Sequence, residues 1–524
     1  MKKFKRLSAL ALALVMSLSL VACGGGGEIG GTPESSSPET AGVTEDRMFN
    51  VVMTAAYTGF DPLKTNDAAS TYITAQIYET LYLIADDGSF VPLLAESLPE
   101  FSEDGLTATI KLREGIKFHD GTPFNAEAVK YTFELIKDPD FGSARASIAT
   151  SIDSIECPDE YTVVFHLNYE DGVLLAKLAH TNSAIVSPTA QQKQDLMVDP
   201  VGTGPYKYVS HVSGSNAVLT RNDEYWGEKA QIKDVTFTVI TEESTALARL
   251  ETGEADYIPS VTVESLPRVQ AMQNVTTETQ DSAQIFYVGL RQNSYINPLM
   301  ANPEFRKAIV MSLDREGFVN YTMEGHGSYA KSFIGPKVLG YTAAAEEANI
   351  GYDPEGARAI IEANGWQDEE IVFLCPSTPA YAPIGEYFQA NLTAAGFNNV
   401  KLESIEYSAY LTESKAEDRF DISIFGWANV TRDGSELLEP NTHSVSSARL
   451  KINSEELDNM ILASKTTSVE ADRVAALEEA NIYVLENALI APIYNGEYRF
   501  AYNSAYECSL DTSSVFYLNT FKIK

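Results

Sequence analysis

Apolar residues recur along this chain at the spacings of both helices and strands. From Asp67 to Leu81 the apolar positions 73, 77 and 81 are four residues apart, which predicts a helix with one buried face. Asn125 precedes another such segment and is placed to act as its N-cap. Further helices are predicted to open at Asn302, at Asp353 with its end at Gly365, and at Ser468.

Short apolar runs bounded by turn residues predict strands between these helices. The runs cover residues 235–240, 371–374 and 422–425. Residues 106–112 and 161–167 alternate between apolar and polar, as antiparallel strands with one buried face do. Because predicted helices and strands interleave, the fold class is α/β, with an antiparallel insertion between about residues 83 and 195.

The first 45 residues have the pattern of an export signal and a tether. A basic start is followed by the apolar run Leu7–Ala22, which is shorter than a membrane span needs. It ends at Cys23 after a small residue, which is typical of a lipoprotein. We therefore predict a signal peptide over 1–22, a lipidated Cys23 and a flexible Gly/Ser/Pro tether over 23–45. This places the body outside the cytoplasm, in the periplasm or on the outer face of the cytoplasmic membrane.

Composition excludes several classes of protein. The formal net charge of −35 argues against nucleic acid as a partner. Beyond Cys23, the three remaining cysteines are far apart, and no cysteine or histidine cluster has metal-ligand spacing. No nucleophile motif of a hydrolase occurs after the signal. We expect neither an enzyme, nor a cofactor, nor a metal site.

Several short motifs resemble one family in their identity and in their order. They are the segments 115–129 (Gly-Ile-Lys-Phe-His-Asp-Gly-Thr-Pro-Phe-Asn-Ala-Glu-Ala-Val), 201–206, 222–227, 253–256, 305–315 and 352–357. Together they are similar to the peptide/nickel-binding proteins of ABC importers, extracellular solute-binding protein family 5, in lipoprotein form. Ala128 stands where that family usually has an acid. Taken alone, His119-Asp120-Gly121 predicts a turn, and Tyr225-Trp226-Gly227 predicts a packing corner.

The resemblance implies a two-lobed periplasmic-binding-protein fold of the large three-domain type, with a hinged ligand cleft. One lobe would comprise residues 46–82, 196–285 and 490–524, the other lobe 286–489, and the extra domain 83–195. Crossings near 285 and 490 would form the hinge. The implied function is capture of dipeptides or oligopeptides by a monomer, which delivers them to a membrane permease.

The predicted site centres on the strand 422–425 and the loop after it, because open α/β sheets bind ligands at the carboxyl ends of strands. The resemblance assigns Trp427 to the ligand wall and implies an aspartate three residues later for a peptide's amino group. Val430 occupies that position. An acid near Arg432 could replace the aspartate, either Asp433 or Glu436. The full set of predicted ligand-binding residues is Trp427, Asn429, Arg432, Asp433, Tyr57, Phe286, Tyr287 and Tyr494.

Two alternatives to a peptide carrier stay open at this point, and so does the role of the aromatic residues. The ligand could be a blocked or cyclic peptide, a sugar or a metal chelate. The protein could present its ligand to a sensor instead of a transporter. Core packing competes with ligand contact as the role of each aromatic residue.

Overall fold

A computed structural model describes residues 46–85, 88–378, 380–445, 449–467, 469–511 and 513–524. The predicted signal peptide, Cys23 and the tether lie outside this part of the chain, and so does Ser468. No helix among the described residues is long and apolar enough to cross a membrane.

The strands are short except for two that extend through the middle of the main sheet. They are β1 (Phe49–Met53), β2 (Tyr82–Ile84), β3 (Phe90–Pro92), β4 (Glu100–Phe101), β5 (Thr107–Lys111), β6 (Ile152–Asp159), β7 (Thr162–Leu167), β8 (Tyr206–Val212), β9 (Asn216–Arg221), β10 (Asp234–Val239), β11 (Tyr257–Ile258), β12 (Val275–Leu290), β13 (Ser328–Tyr329), β14 (Glu370–Pro376), β15 (Asn399–Ile405), β16 (Ile422–Ala428), β17 (Ile490–Asn503), β18 (Tyr506–Glu507) and β19 (Lys522–Ile523).

The α-helices interleave with these strands along the chain. They are α1 (Ala68–Ile77), α2 (Ala126–Lys137), α3 (Leu174–Ala179), α4 (Pro188–Lys193), α5 (Glu243–Thr252), α6 (Leu266–Gln270), α7 (Pro303–Ser312), α8 (Arg315–Gly317), α9 (Ala343–Glu347), α10 (Pro354–Asn364), α11 (Ala382–Ala395), α12 (Tyr407–Glu413), α13 (Ser435–Thr442), α14 (Glu455–Lys465) and α15 (Glu470–Glu486).

The main sheet has 11 strands, and the long strands β12 and β17 form its centre. Its order is β15-β14-β16-β12-β17-β11-β1-β10-β9-β8, with β13 added on β17. The antiparallel pairing of β12 with β17 is interrupted by register shifts between Asp281 and Tyr287. A separate four-stranded antiparallel sheet, β4-β5-β7-β6, contains the two alternating segments predicted as antiparallel strands.

Alternation along β12 divides its side chains between two hydrophobic clusters. Phe286, Val288 and Leu290 pack into one cluster together with α7 and α11. Ile285 and Tyr287 pack into a second cluster on the opposite face, with α13, α14 and α15. This is the two-residue period of a strand that is buried on both faces. The resulting mixed α/β architecture agrees with the predicted fold class.

Most predicted helix starts are confirmed, because capping depends on local chemistry. The side chains of Asn125, Asn302 and Asp353 each accept a backbone hydrogen bond from the first turn of α2, α7 and α10. Gly365 ends α10 in a left-handed conformation with φ of 70°. The helix α15 begins at Glu470, with Val469 at its N-cap position.

The helix predicted over 67–81 ends earlier than expected. Asp67 caps α1, but the last helical residue is Ile77. The Ile77 carbonyl then accepts from the backbone N–H of Gly204, at 2.9 Å. A Cβ at Gly202 would lie 2.1 Å from the same carbonyl oxygen, so only glycine allows this close approach. The segment 202–204 therefore ends α1 by binding its terminal carbonyl.

Candidate functional site

The predicted site segment leaves the main sheet at the end of β16. This strand runs parallel to β14 and antiparallel to β12, where Trp427 pairs with Ile285. Trp427 is half-buried and packs against the second cluster of β12, described above. Its ring is thus one residue from the strand's carboxyl end.

The loop after β16 is held by its own side chains. The Asn429 side-chain amide donates to the Asp433 carbonyl at 2.8 Å, and its oxygen accepts from the Thr431 hydroxyl at 3.0 Å. Arg432 adopts φ of 52°, uncommon for a residue other than glycine, and its guanidinium donates to the Ala85 carbonyl. These hydrogen bonds hold the loop from Asn429 to Asp433 in place, and Val430 is an apolar residue within it.

Asp433 is committed to an internal ion pair. Its carboxylate lies 2.5 Å from the Arg473 guanidinium and also accepts from the backbone and hydroxyl of Ser435, at 3.0 and 2.6 Å. Both charged side chains are almost fully buried. Glu436, the other acid suggested for ligand binding, is a mostly buried carboxyl whose pKa is raised by desolvation, in the field of Lys177 and Lys465.

The predicted aromatic residues lie in different cores. Phe286 stacks on Tyr494 with ring centroids 4.5 Å apart and planes within 8°. Tyr287 lies on the opposite face of β12, and its hydroxyl donates to the Asn441 side chain at 2.6 Å. Tyr57 stacks on Phe60 and donates to the Asn216 carbonyl at 2.9 Å. Phe286 and Tyr494 are thus in contact, whereas Tyr287 and Tyr57 lie apart from them in other clusters. The contact of each residue with ligand stays a prediction.

One cavity lies beside the loop after β16, and a second cavity adjoins the first. The smaller, of about 30 Å³, is lined by Val430 together with residues from three distant segments of the chain. The larger, of about 140 Å³, has a mainly apolar lining. Leu83, Ala179, Thr181 and Tyr517 line both cavities. Val430, in the loop after β16, lines the smaller cavity, and none of the eight predicted ligand-binding residues is among the residues that line either cavity.

Glu79 lies in the wall of the larger cavity and is almost completely buried. It accepts hydrogen bonds from the Thr203 and Tyr225 hydroxyls, both at 2.7 Å, and from the Trp226 indole at 3.0 Å. Desolvation raises its pKa to about 7, although these hydrogen bonds favour the carboxylate. The predicted packing corner at 225–227 thus encloses a titratable group.

Because of Glu79, the free energy of unfolding should decrease as the pH rises. Its folded pKa of about 7 exceeds the unfolded value of about 4.5, so the folded state holds the extra proton between these values. From pH 5 to 7 this group should destabilise the protein by about 2 kcal/mol, calculated from the two pKa values. Comparing urea unfolding of Glu79→Gln and wild-type protein at each pH isolates this effect. Parallel pH profiles for the two proteins would contradict it.

Residues 171–177 pack closely against residues 465–473. The Gly172 backbone N–H donates to the Lys465 carbonyl at 2.7 Å. A Cβ at Gly172 would lie 2.2 Å from the Thr467 carbonyl oxygen and 2.7 Å from Arg473 Nε. Beside it, Asp171 and Lys177 form a buried ion pair of 2.7 Å. These segments pack with no space for a side chain at residue 172.

Sequence reasoning missed Glu79, His180 and Asp511, because polar residues in a linear sequence do not reveal which cavity they share. For Glu79 the sequence did offer a signal. It is an ionisable residue in the segment Tyr78-Glu79-Thr80-Leu81, at the apolar end of a predicted helix. Nothing comparable surrounds Asp511, which lies in a polar turn.

A mixed sheet with cavities beside a strand's carboxyl end is typical of the two-lobed substrate-binding fold. The chain belongs to the bacterial extracellular solute-binding proteins, family 5, whose "Middle" model matches residues 89–449. This confirms the family resemblance. The protein is a non-enzymatic solute-binding protein, as members of this family are.

Individual relatives are similar at moderate identity. The glutathione-binding protein GsiB of Pectobacterium atrosepticum is 27% identical over 398 residues, covering 74% of this chain and 76% of its own. The oligopeptide-binding protein AppA of Bacillus subtilis is 25% identical over 448 residues, with 80% of each chain covered. The structure of HbpA2 from Haemophilus parasuis matches with a TM-score of 0.81 at 21% identity, covering 91% of this chain and all of that one.

Proposed function

We propose that this protein is a lipid-anchored, extracytoplasmic substrate-binding protein that captures peptides and delivers them to the permease of an ABC importer. Membership of the solute-binding family supports capture without chemical change. Similarity to an oligopeptide-binding protein over 80% of the chain favours peptides over sugars or metal chelates. The observation that carries the proposal is the pair of adjoining cavities beside the loop after β16.

The volume and the mainly apolar lining of the larger cavity favour a ligand with an apolar side chain. At about 140 Å³ it is comparable with an engineered apolar cavity of about 150 Å³ that admits benzene. Leu83, Leu93 and Ala184 contribute to its lining, and Thr181 and Tyr517 provide polar groups where it adjoins the smaller cavity. A peptide offers both kinds of group within one residue.

Native mass spectrometry of the intact chain, extracted from membranes in mild detergent, tests the ligand class. We expect co-purified masses that fragment as peptides and are replaced when a defined peptide is added. A single non-peptide mass that no peptide displaces would contradict peptide capture. Ligand-dependent compaction in solution scattering would report closure of the two lobes.

Attachment to the membrane requires a separate experiment. We expect the intact chain to incorporate radiolabelled fatty acid and to sediment with membranes. Cys23→Ser should abolish the labelling, because the predicted acceptor thiol is lost. Labelling that persists in this variant would contradict lipidation at Cys23, without affecting ligand capture.

Replacing Trp427 tests its predicted contact with the ligand. We expect Trp427→Ala to weaken peptide binding by about 1 kcal/mol or more, since an aromatic stacking contact is lost. Isothermal titration calorimetry measures the change, and Trp427→Phe, which keeps an aromatic ring, should retain most of the affinity. If Trp427→Ala leaves both affinity and stability unchanged, Trp427 is not part of the site.

A further inference from the structure

Arg432 connects the loop after β16 to the end of β2. Its guanidinium donates to the carbonyl of Ala85, which is 347 positions away in the sequence and directly follows β2. The Arg432 side chain is 4% exposed, so this contact is shielded from water. A hydrogen bond from a charged donor is stronger than one between neutral groups. The contact between Arg432 and Ala85 therefore joins two segments that are distant along the chain.

The backbone of Arg432 is fixed within its own loop. Its carbonyl accepts from the Leu339 backbone N–H at 2.8 Å, and its N–H donates to the Asn429 carbonyl at 3.2 Å. The φ of 52° at Arg432 lies in the left-handed region, which a residue other than glycine keeps only where surrounding contacts hold it there. The fixed backbone on one side and the Ala85 carbonyl on the other therefore define the position of this side chain.

The positive charge of Arg432 also acts on three residues near the carboxyl terminus. Desolvation raises the pKa of Asp511, Tyr498 and Tyr517, and the charge of Arg432 opposes that rise in each of them. Asp511 and Tyr517 line the smaller cavity. A buried guanidinium is costly unless acceptors and negative charge surround it, and this segment supplies the negative charge. Arg432 thus interacts with a third segment of the chain.

The segments that Arg432 connects are walls of the smaller cavity. Val430 lines it from the loop after β16, Leu83 and Ile84 line it from β2, and residues of 511–517 line it from the carboxyl-terminal segment. Under the domain boundaries predicted from the sequence, these three walls belong to lobe II, to the extra domain and to lobe I. Because Val430 lies two residues before Arg432, the contact with Ala85 sets the distance between Val430 and the other two walls.

On the basis of the proposed function, we infer that Arg432 is a positioning residue for ligand capture, whose contact with Ala85 holds Val430 against the other walls of the smaller cavity. Arg432 acts through Val430 and does not touch the ligand. This role differs from the direct ligand contact predicted for Arg432 from the sequence, since its side chain is not among the groups that line the cavity. Holding the walls together slows the escape of a bound peptide.

Arg432→Gly tests this role in the intact chain in detergent, with the tripeptide Leu-Ala-Ala as the probe. Glycine adopts a φ of 52° without strain, so the variant should fold and melt within a few degrees of wild type. Its affinity should fall at least about tenfold, the loss expected for one charge-assisted hydrogen bond. Stopped-flow fluorescence should show faster dissociation at a similar association rate, because the contact with Ala85 holds the peptide after it has entered. Calorimetry measures the affinity.

Two further variants separate positioning from a general effect on the fold. Arg432→Lys keeps the charge and a donor, and its affinity should stay within about threefold of wild type. Lys451→Gly is the matched control, since Lys451 has the same φ of 52° and the same charge but lies in a different loop. It should change neither the affinity nor the dissociation rate. An Arg432→Gly variant that releases the peptide at the wild-type rate would overturn the positioning role, whatever its melting temperature.

Hydrogen–deuterium exchange without peptide distinguishes this inference from the proposed function. In Arg432→Gly, the amides of β2 and β3 should exchange at least about threefold faster than in wild type, because Ala85 is no longer held by the loop after β16. Unchanged exchange together with unchanged affinity would overturn the role of Arg432 and leave peptide capture intact. Faster exchange in the variant, with a wild-type protein that neither binds the tripeptide nor carries co-purified peptides, would overturn peptide capture and leave the contact with Ala85 in place.

Discussion

Replacing Arg473 with methionine should lower the free energy of unfolding by about 3–5 kcal/mol, the usual cost of leaving a buried charge without its partner. Asp433 and Arg473 are 4% and 7% exposed and lie 2.5 Å apart. Arg473 also donates to the Ser464 carbonyl at 2.8 Å, so its loss also removes a hydrogen bond between α14 and α15. Urea denaturation monitored by tryptophan fluorescence measures the change.

The double variant Asp433→Asn, Arg473→Met provides the control for this prediction. Removing both charges should restore part of the stability, because the isolated carboxylate is the main cost. The single variant should also bind ligand more weakly, since Asp433 anchors the loop that carries Val430 and Arg432. If the single variant is as stable as wild type, the ion pair does not organise this loop.

Substituting Gly172 with valine should weaken peptide binding at least a hundredfold. Its Cβ would meet the Thr467 carbonyl oxygen at 2.2 Å, a backbone atom that cannot rotate away. Under the proposed function, the contact between 171–177 and 465–473 belongs to the closed form, so the variant should remain open. Calorimetry gives the affinity, and solution scattering with and without peptide gives the compaction.

Gly351→Val is the matched control, because a Cβ at Gly351 meets no atom within 4 Å. It should bind peptide as wild type does. Gly172→Val should melt within a few degrees of wild type if its effect is on closure. A variant that binds and compacts normally would show that these segments separate without affecting the ligand.

Local chemistry explains which elements could be predicted. A cap forms between a side chain and the backbone two or three residues away, so Asn125 and Asn302 identified their helices correctly. The strand 422–425 was evident because three of its four residues are large and apolar, and it extends to Ala428. The predicted end of α1 was wrong by several residues, because the backbone N–H of Gly204, in a distant turn, donates to the Ile77 carbonyl and Gly202 packs against the same carbonyl.

The domain boundaries predicted at 82, 195, 285 and 489 stay predictions. The structure adds that β12 and β17 pair along most of their length and are irregular between Asp281 and Tyr287. Irregular pairing there is compatible with bending near the predicted crossing at 285, since a bulge disrupts the ladder locally.

The sequence by itself determined the family, the α/β class and the strand that leads into the site, because motif order and hydrophobic period are properties of neighbouring residues. It also showed that position 430 lacks a carboxylate. Only the tertiary structure decided that Asp433 serves Arg473, and that His180 and Asp511 share a cavity with Val430. These residues are separated by up to several hundred positions, so their meeting depends on how the main sheet and its connections fold. The role of a buried polar group depends on which hydrogen-bonding groups surround it in the folded chain. The linear sequence does not specify those groups.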